Sequence, residues 1–162
     1  MDLFCFASRS LENVWRGVRA KRWAVSTASD ACMRGRATKA ERYFKPGVRG
    51  LLYCNETHTF MVPFLATSFA DQKNVEANVW QTAWALPFSI QPLGDPRRQV
   101  AQDDAWSRWP LLIRRKAKNP NLNSVSAALN FTGTTVFAPV DITDEDWDMI
   151  LRDLAIEPQD AP

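Results

Sequence analysis

Histidine is scarce in this sequence, and glycine-rich loops are missing. It has 1 histidine, His58, in 162 residues, which leaves no room for a metal site built from histidines. Neither a glycine-rich phosphate loop nor a nucleophile elbow occurs. The sequence therefore predicts no metal, no cofactor and no catalytic residue. A carboxylate-only nuclease stays open, because Asp103-Asp104 and residues 144–146 are acidic clusters.

Cysteines and long apolar runs are also sparse. Cys5, Cys32 and Cys54 make an odd number with no metal-type spacing, which is typical of free thiols in a reducing compartment. No apolar run is long enough to span a bilayer, and residues 1–9 are too short for a signal peptide. We therefore expect a cytoplasmic protein that has no membrane partner.

What the chain does contain is tryptophan, with 7 residues. Each indole N–H needs a hydrogen-bond partner when buried, so several should lie at a surface, a pocket or an interface. Hydrophobic residues at 46% and charged residues at 23% describe a globular protein. We expect one domain over residues 1–156 and a frayed tail over residues 157–162. The net charge of +2 is too small to establish a polyanionic partner.

Apolar runs and turn residues predict the secondary structure. The expected strands are residues 3–7, 23–26, 51–54, 60–65, 79–88 and 134–139, and residues 109–113 fit a further strand. A first helix follows a cap at Ser8 or Ser10, a short basic helix covers residues 38–44 after a loop at 27–35, and a last helix follows Thr143. Residues 124–131 fit a short helix or a strand. The pattern indicates an α+β fold, a small, curved, mixed β-barrel of about six strands flanked by helices.

Several segments resemble a known family in order and spacing. They are residues 8–14 (SRSLENV), 21–26 (KRWAVS), 51–54 (LLYC), 79–88 (VWQTAWALPF) and 131–136 (FTGTTV). They resemble YTH domains, and residues 43–53 are more similar to the related EVE domains. Both belong to the PUA-like barrels, and the resemblance covers residues 3–154.

The resemblance implies a binding module. YTH and EVE domains accept a modified base, flipped or unpaired, in an aromatic pocket, and YTH domains bind N6-methyladenine, mostly in RNA. Related domains read methylated bases in DNA. The expected partner is therefore RNA or DNA that carries a modified, methylated base, and an effector protein or domain stays open as a second partner. The alternative is an enzyme of the same superfamily that acts on a modified nucleoside or nucleic acid.

The resemblance also implies a base pocket. Trp23 matches the first tryptophan of the cage, and Arg9 stands where the family has asparagine. The second cage tryptophan is expected in residues 68–78, which contain none, so Phe69 is the candidate. A third wall position falls on Glu76. The predicted pocket residues are Trp23, Phe69, Ser8, Arg9, Asn13, Ala24 and Ser26.

Basic residues complete the prediction. The predicted phosphate-binding residues are Lys21, Arg22, Arg97, Arg98, Arg114, Arg115, Lys116 and Lys118. A basic run is often only a solvated face, and arginines near a helix C-terminus are partly structural. Trp80 and Trp84 share one strand face and are predicted to lie in the core. Either Trp106 or Trp109 is expected at the mouth of the barrel.

Overall fold

A computed structural model describes residues 1–26 and 28–159 of the chain. Its strands are β1 (Asp2–Ser8), β2 (Arg22–Val25), β3 (Arg49–Cys54), β4 (Thr59–Ala66), β5 (Ala85–Pro92), β6 (Val100–Ala101) and β7 (Val140–Asp141). Its helices are α1 (Leu11–Ala20), α2 (Asp30–Tyr43), α3 (Gln102–Arg108), α4 (Pro110–Lys118), α5 (Val125–Ala128) and α6 (Asp144–Leu154), with a 3-10 turn at Gly133–Thr135.

The strands form one mixed sheet. Its order is β2-β5-β4-β3-β1-β7, and β6 pairs with β4. β1 and β3 are parallel neighbours, because α1, β2 and α2 connect the end of one to the start of the other. Their C-terminal ends, Ser8 and Cys54, therefore lie side by side. The predicted mixed α+β fold with flanking helices is confirmed, but the sheet is open, since the described part of β2 does not pair with β7.

Each face of the sheet carries its own hydrophobic core, because alternate strand residues point to opposite sides. Phe4 and Phe6 of β1 join the first core, to which α1 and α2 also contribute side chains. Leu3 and Cys5 join the second core, which contains side chains of α3, α4, α5 and α6. We call these sides the first face and the second face.

Helix caps explain where several helices begin. The Ser10 hydroxyl accepts a hydrogen bond from the Asn13 backbone N–H at 3.2 Å, so Ser10 is the cap of α1, as predicted. At α6, Thr143 and Asp146 form the predicted capping box. At α2, Ser29 is the cap, and the helix begins at Asp30. The predicted loop at residues 27–35 is therefore wrong from residue 30 onward, and residue 27 lies outside the described residues.

Three predicted strands are wrong in whole or in part. Residues 109–113 enter α4 instead, where Pro110 takes the first helical position and so costs no hydrogen bond. Residues 134–139 form the end of the 3-10 turn and an irregular segment. Of residues 79–88, only those from Ala85 onward form a strand, because the segment before it belongs to the long β4–β5 connection. Residues 124–131 contain the short helix α5.

The segment after α6 is tied down at its start. The Glu157 carbonyl accepts a hydrogen bond from Arg97, and the Gln159 N–H donates to Asp95 at 3.0 Å. These residues belong to the predicted tail, and residues 160–162 lie outside the described residues. No helix in the described part of the chain is both long and apolar enough to cross a membrane.

Candidate base-binding cleft

A cleft of about 570 Å³ opens where the parallel strands β1 and β3 end. Open α/β sheets commonly bind ligands just beyond the C-terminal ends of their parallel strands. Here the turn after β1, the start of α1, the residue after β3 and the β4–β5 connection surround the opening. The lining residues are Ala7, Arg9, Ser10, Glu12, Asn13, Ser26, Asn55, Trp80, Gln81, Thr82 and Trp84.

Three tryptophans form one cluster at this cleft. Trp80 and Trp84 stack on each other with ring centroids 4.2 Å apart and planes within 7°. Trp23 stands nearly perpendicular to both, at 5.4 Å and 5.7 Å. Trp23 is 0% exposed and Trp80 is 4% exposed, whereas Trp84 is half-buried. The indole surface that a ligand can reach therefore belongs mainly to Trp84.

Hydrogen bonds fix the two loop tryptophans. The Trp80 indole N–H donates to the Asn13 backbone carbonyl at 3.0 Å, which ties the β4–β5 connection to α1. The backbone of Trp84 exchanges two hydrogen bonds with Glu76, at 2.8 Å and 3.0 Å. Glu76 in turn forms an ion pair with Arg22 at 3.0 Å. The stacked pair is thus held on a pinned loop that can present it to a ligand.

Trp23 lies behind the pair, against α1. A Cβ atom on Gly17 would come within 2.6 Å of the Trp23 ring, so the helix needs glycine where the indole packs. The Trp23 indole N–H is buried and has no hydrogen-bond partner among residues 1–26 and 28–159. Trp23 is therefore the floor under the pair, and not an open wall of the cleft.

Polar groups on the cleft can read the edge of a base. Asn13 and Asn55 both line it, and each side-chain amide can donate and accept hydrogen bonds. Ser26 adds a hydroxyl, and its backbone carbonyl is held by the Arg36 guanidinium at 3.1 Å. The pairing edge of an unpaired base presents the same mixture of donors and acceptors.

The structure brings together part of the predicted base pocket. Arg9, Asn13 and Ser26 do line the cleft. Ser8 and Ala24 do not, because each is 1% exposed and packs beneath the surface.

Phe69, the predicted second cage residue, is 67% exposed and is not among the residues that line the cleft. The predicted core position is confirmed for Trp80, and Trp84 packs against that core while half-buried, but neither lies in a strand and their place at the cleft was not predicted. The signal that could have found them is the polar composition of residues 71–82, which indicates a loop that continues past residue 78.

All five of the predicted phosphate-binding arginines are engaged within the protein. Arg114 pairs with Asp146, Arg97 pairs with Asp95, and Arg22 pairs with Glu76. The remaining two donate to backbone carbonyls, Arg98 at the end of α6 and Arg115 at Ala128. Lys116 lies over the Trp106 ring at 5.2 Å. In the described part of the chain, Lys21 and Lys118 have no side-chain partner.

Position also separates the basic run from the cleft. α4, which carries residues 114–118, packs on the second face through Leu111 and Leu112, whereas the tryptophan cluster belongs to the first face. Cations of α1 and its preceding turn lie closer. Arg9 lines the cleft, and Arg19 lines a groove that shares Glu12 with it.

Two buried carboxylates, Asp146 of the acidic cluster 144–146 and Asp95, have structural roles. Burial would raise the pKa of Asp146, but hydrogen bonds from Arg114 and the Thr143 N–H outweigh it and hold the pKa below its usual value. Burial would also raise the pKa of Asp95, but hydrogen bonds from Arg97 and from the Gln159 N–H outweigh it and hold the pKa below its usual value. The described residues contain no group of three or more histidine, cysteine or acidic side chains that could hold a metal ion.

Comparison with solved structures defines the class of fold, which is that of YTH domains and related bacterial proteins. The YTH domain of Zygosaccharomyces rouxii MRB1, solved in complex with N6-methyladenosine RNA, matches with a TM-score of 0.59 and 16% identity, over 93% of this chain and 84% of its own. Protein Atu2648 of Agrobacterium tumefaciens matches over 100% of both chains, with a TM-score of 0.50 and 17% identity.

Rpa0253 of Rhodopseudomonas palustris matches with a TM-score of 0.51 and 12% identity, over 94% of this chain and 92% of its own. No protein-family model and no curated protein matches the sequence. At these identities the likeness establishes the YTH-type fold.

Proposed function

We propose that this protein binds nucleic acid that carries a modified base, and that the cleft takes up that base. The observation that carries the proposal is the stacked pair of Trp80 and Trp84 at an open cleft beside the ends of two parallel strands. The fold supports it, since the MRB1 YTH domain of the same fold was solved with N6-methyladenosine RNA.

Stacking supplies most of the affinity in this proposal. An unpaired base gains about 1–3 kcal/mol from stacking on an aromatic side chain. Trp80 and Trp84 already stack on each other, so a base stacks on the accessible side of the Trp84 indole as the third ring of the stack. Asn13 and Asn55 then hydrogen-bond its pairing edge.

The methyl group supplies the preference for a modified base. Burial of one methyl-sized group against apolar surface is worth about 0.8 kcal/mol, which is roughly a fourfold difference in Kd. The indoles offer such a surface next to the polar edge. A larger preference for the methylated base requires that the unmodified base leaves part of the apolar cleft unfilled.

The phosphate backbone follows the cations of α1 and the turn before it. Arg9 and Arg19 are exposed and form no ion pair within the described residues. Their guanidinium groups are therefore available to phosphates, in contrast to the arginines that close salt bridges on the second face.

The test is a titration of labelled single-stranded oligonucleotides at fixed salt. RNA and DNA versions are compared, each with one central adenine or N6-methyladenine. We expect the unaltered protein to bind the methylated strand more tightly. Trp84→Ala should weaken that binding by about 5- to 150-fold, the equivalent of one lost stacking contact. Phe69→Ala is the matched control, because it removes an exposed aromatic ring outside the cleft.

Two binding results would contradict the proposal, and a third outcome would favour the alternative. Equal binding of methylated and unmodified strands, across both RNA and DNA, would remove the reading of N6-methyladenine by this cleft. Tighter binding by Trp84→Ala would show that this indole blocks the cleft and is not the stacking platform. Conversion of a modified nucleoside into product would favour the enzyme alternative.

A further inference from the structure

A second, smaller pocket lies on the other side of the same strand ends. Its volume is about 260 Å³, below the range of about 300–1,000 Å³ typical of sites for drug-sized ligands. It belongs to the second face, where Tyr53 and Phe131 stack with ring centroids 5.1 Å apart. Ala7 and Asn55 line both this pocket and the cleft, so the two openings meet at the ends of β1 and β3.

One wall of the pocket is an accessible indole. Trp106 of α3 is half-buried and lines the pocket. The Lys116 ammonium lies over the Trp106 ring, 5.2 Å from its centroid, and Lys116 is not among the residues that line the pocket. A planar ligand can therefore stack on Trp106 from inside. Trp109, the other candidate for the mouth, is 1% exposed and donates its N–H to Asp153.

The polar groups of the pocket can recognise a heterocycle. The Tyr53 hydroxyl donates to the Gln102 side-chain oxygen at 2.6 Å, which leaves the Gln102 amide N–H groups as donors to a ligand. The hydroxyls of Ser124 and Ser126 also line the pocket and hydrogen-bond to each other at 3.2 Å, so one of the two keeps its O–H to donate to a ligand. Asp103 contributes a carboxylate that accepts hydrogen bonds from an amine.

The charge of the pocket restricts the ligand. Asp103 is the one charged residue that lines it, and neither lysine nor arginine does. A phosphate or carboxylate would therefore meet a like charge with no counter-charge. A neutral ring that carries an exocyclic amine fits the size, the indole and the carboxylate together.

We propose that this pocket binds the base of a nucleotide that neighbours the modified one. This inference rests on the proposed function, because the strand must enter the cleft with one base and turn over Ala7 and Asn55 with another. Stacking on Trp106 and the Asp103 carboxylate select adenine, cytosine or guanine over uracil, which has no exocyclic amine.

The test uses short single-stranded RNAs with one N6-methyladenosine, in which each nucleotide within two positions of it is made abasic in turn. We expect one abasic position to weaken binding by the unaltered protein by about 5- to 150-fold. The same position should cost Trp106→Ala little or nothing, since the contact is already lost. The preference for methylated over unmodified RNA should be the same in Trp106→Ala and the unaltered protein.

A second variant guards against misfolding. Asp103→Asn changes an exposed side chain, and we expect it to reduce the preference for an amine-bearing base over uracil at that one position. Phe69→Ala should behave as the unaltered protein does. Two results together overturn the inference. Trp106→Ala responds to every abasic site, and Asp103→Asn to every uracil, as the unaltered protein does, while the preference for methylated RNA persists. Absent methyl preference with an abasic effect that depends on Trp106 would instead remove the proposed function and keep the pocket.

Discussion

The two faces of the sheet use their charged and aromatic residues differently. On the second face, Arg97, Arg108 and Arg114 form ion pairs with carboxylates. On the first face, Arg16 and Arg22 also form ion pairs, but Arg9 lines the cleft with no ion pair in the described residues, and Trp84 is only half-buried. The densest basic run of the sequence is therefore not its most available positive charge. What matters for binding is whether a cation already has a partner.

The largest effect should come from Trp23→Ala. Trp23 is fully buried, and truncation of a buried aromatic side chain costs about 3–5 kcal/mol of unfolding free energy. Urea unfolding followed by circular dichroism measures this cost. Trp84→Ala, at a half-buried position, should lose much less. Equal losses in both variants would contradict the assignment of Trp23 to the floor and Trp84 to the accessible platform.

Arg114→Met should destabilise the protein without weakening nucleic-acid binding. It leaves the buried Asp146 carboxylate without its charged partner, which costs about 1–3 kcal/mol. Lys118→Met is the matched control on the same helix and should change stability by no more than about 0.5 kcal/mol. A loss of oligonucleotide affinity in folded Arg114→Met would restore the phosphate role that the sequence predicted for this arginine.

Acid should weaken the second face through Asp146. Its pKa is lower in the folded protein than in the unfolded chain, where an aspartate has a pKa of about 3.9. Its stabilisation is therefore complete above that pH and is lost as the pH falls through the folded-state pKa. Asp146→Asn should flatten this acidic limb of a stability–pH profile. An unchanged limb would show that other carboxyls cause the loss.

The smallest effect should be that of Arg9→Ala on salt dependence. One lost contact with a single-stranded phosphate lowers the slope of log K against log salt by about 0.7. Binding titrations at several salt concentrations measure the slope, and Lys118→Ala should leave it unchanged. If the lysine variant alone lowered the slope, the strand would cross the second face and not the first.

Local signals predicted much of the fold. The structure confirms strands β1, β3 and β4 and the caps Ser10 and Thr143. Each of these features is set by residues close to it in the sequence. The segment 109–113 failed because a short apolar run fits a strand or a buried helix equally well. Helix α2 began earlier than expected, since its first two turns have a weak apolar pattern that tertiary contacts overcome.

The candidate site was less predictable than the fold. Arg9 and Ser26 directly follow strands, and Asn13 lies in the first turn of α1, so their place at the strand ends could be inferred from the resemblance. The roles of Trp80 and Trp84 depend on the course of a long loop, which alternate spacing misrepresents as a strand. The partners of Arg97 and Arg114 are 2 and 32 residues away, and only the longer pairing needs the tertiary fold.

The lack of a side chain at Gly17 has a consequence for any base that binds in the cleft. A single carbon added there would lie 2.6 Å from the Trp23 ring and 2.9 Å from the Arg22 backbone carbonyl, so the indole and the start of β2 would have to shift relative to α1. The depth at which a base can settle is thus governed by a residue that never contacts it. Gly17→Ala would displace the indole against which the stacked pair packs, and so would change the shape of the cleft.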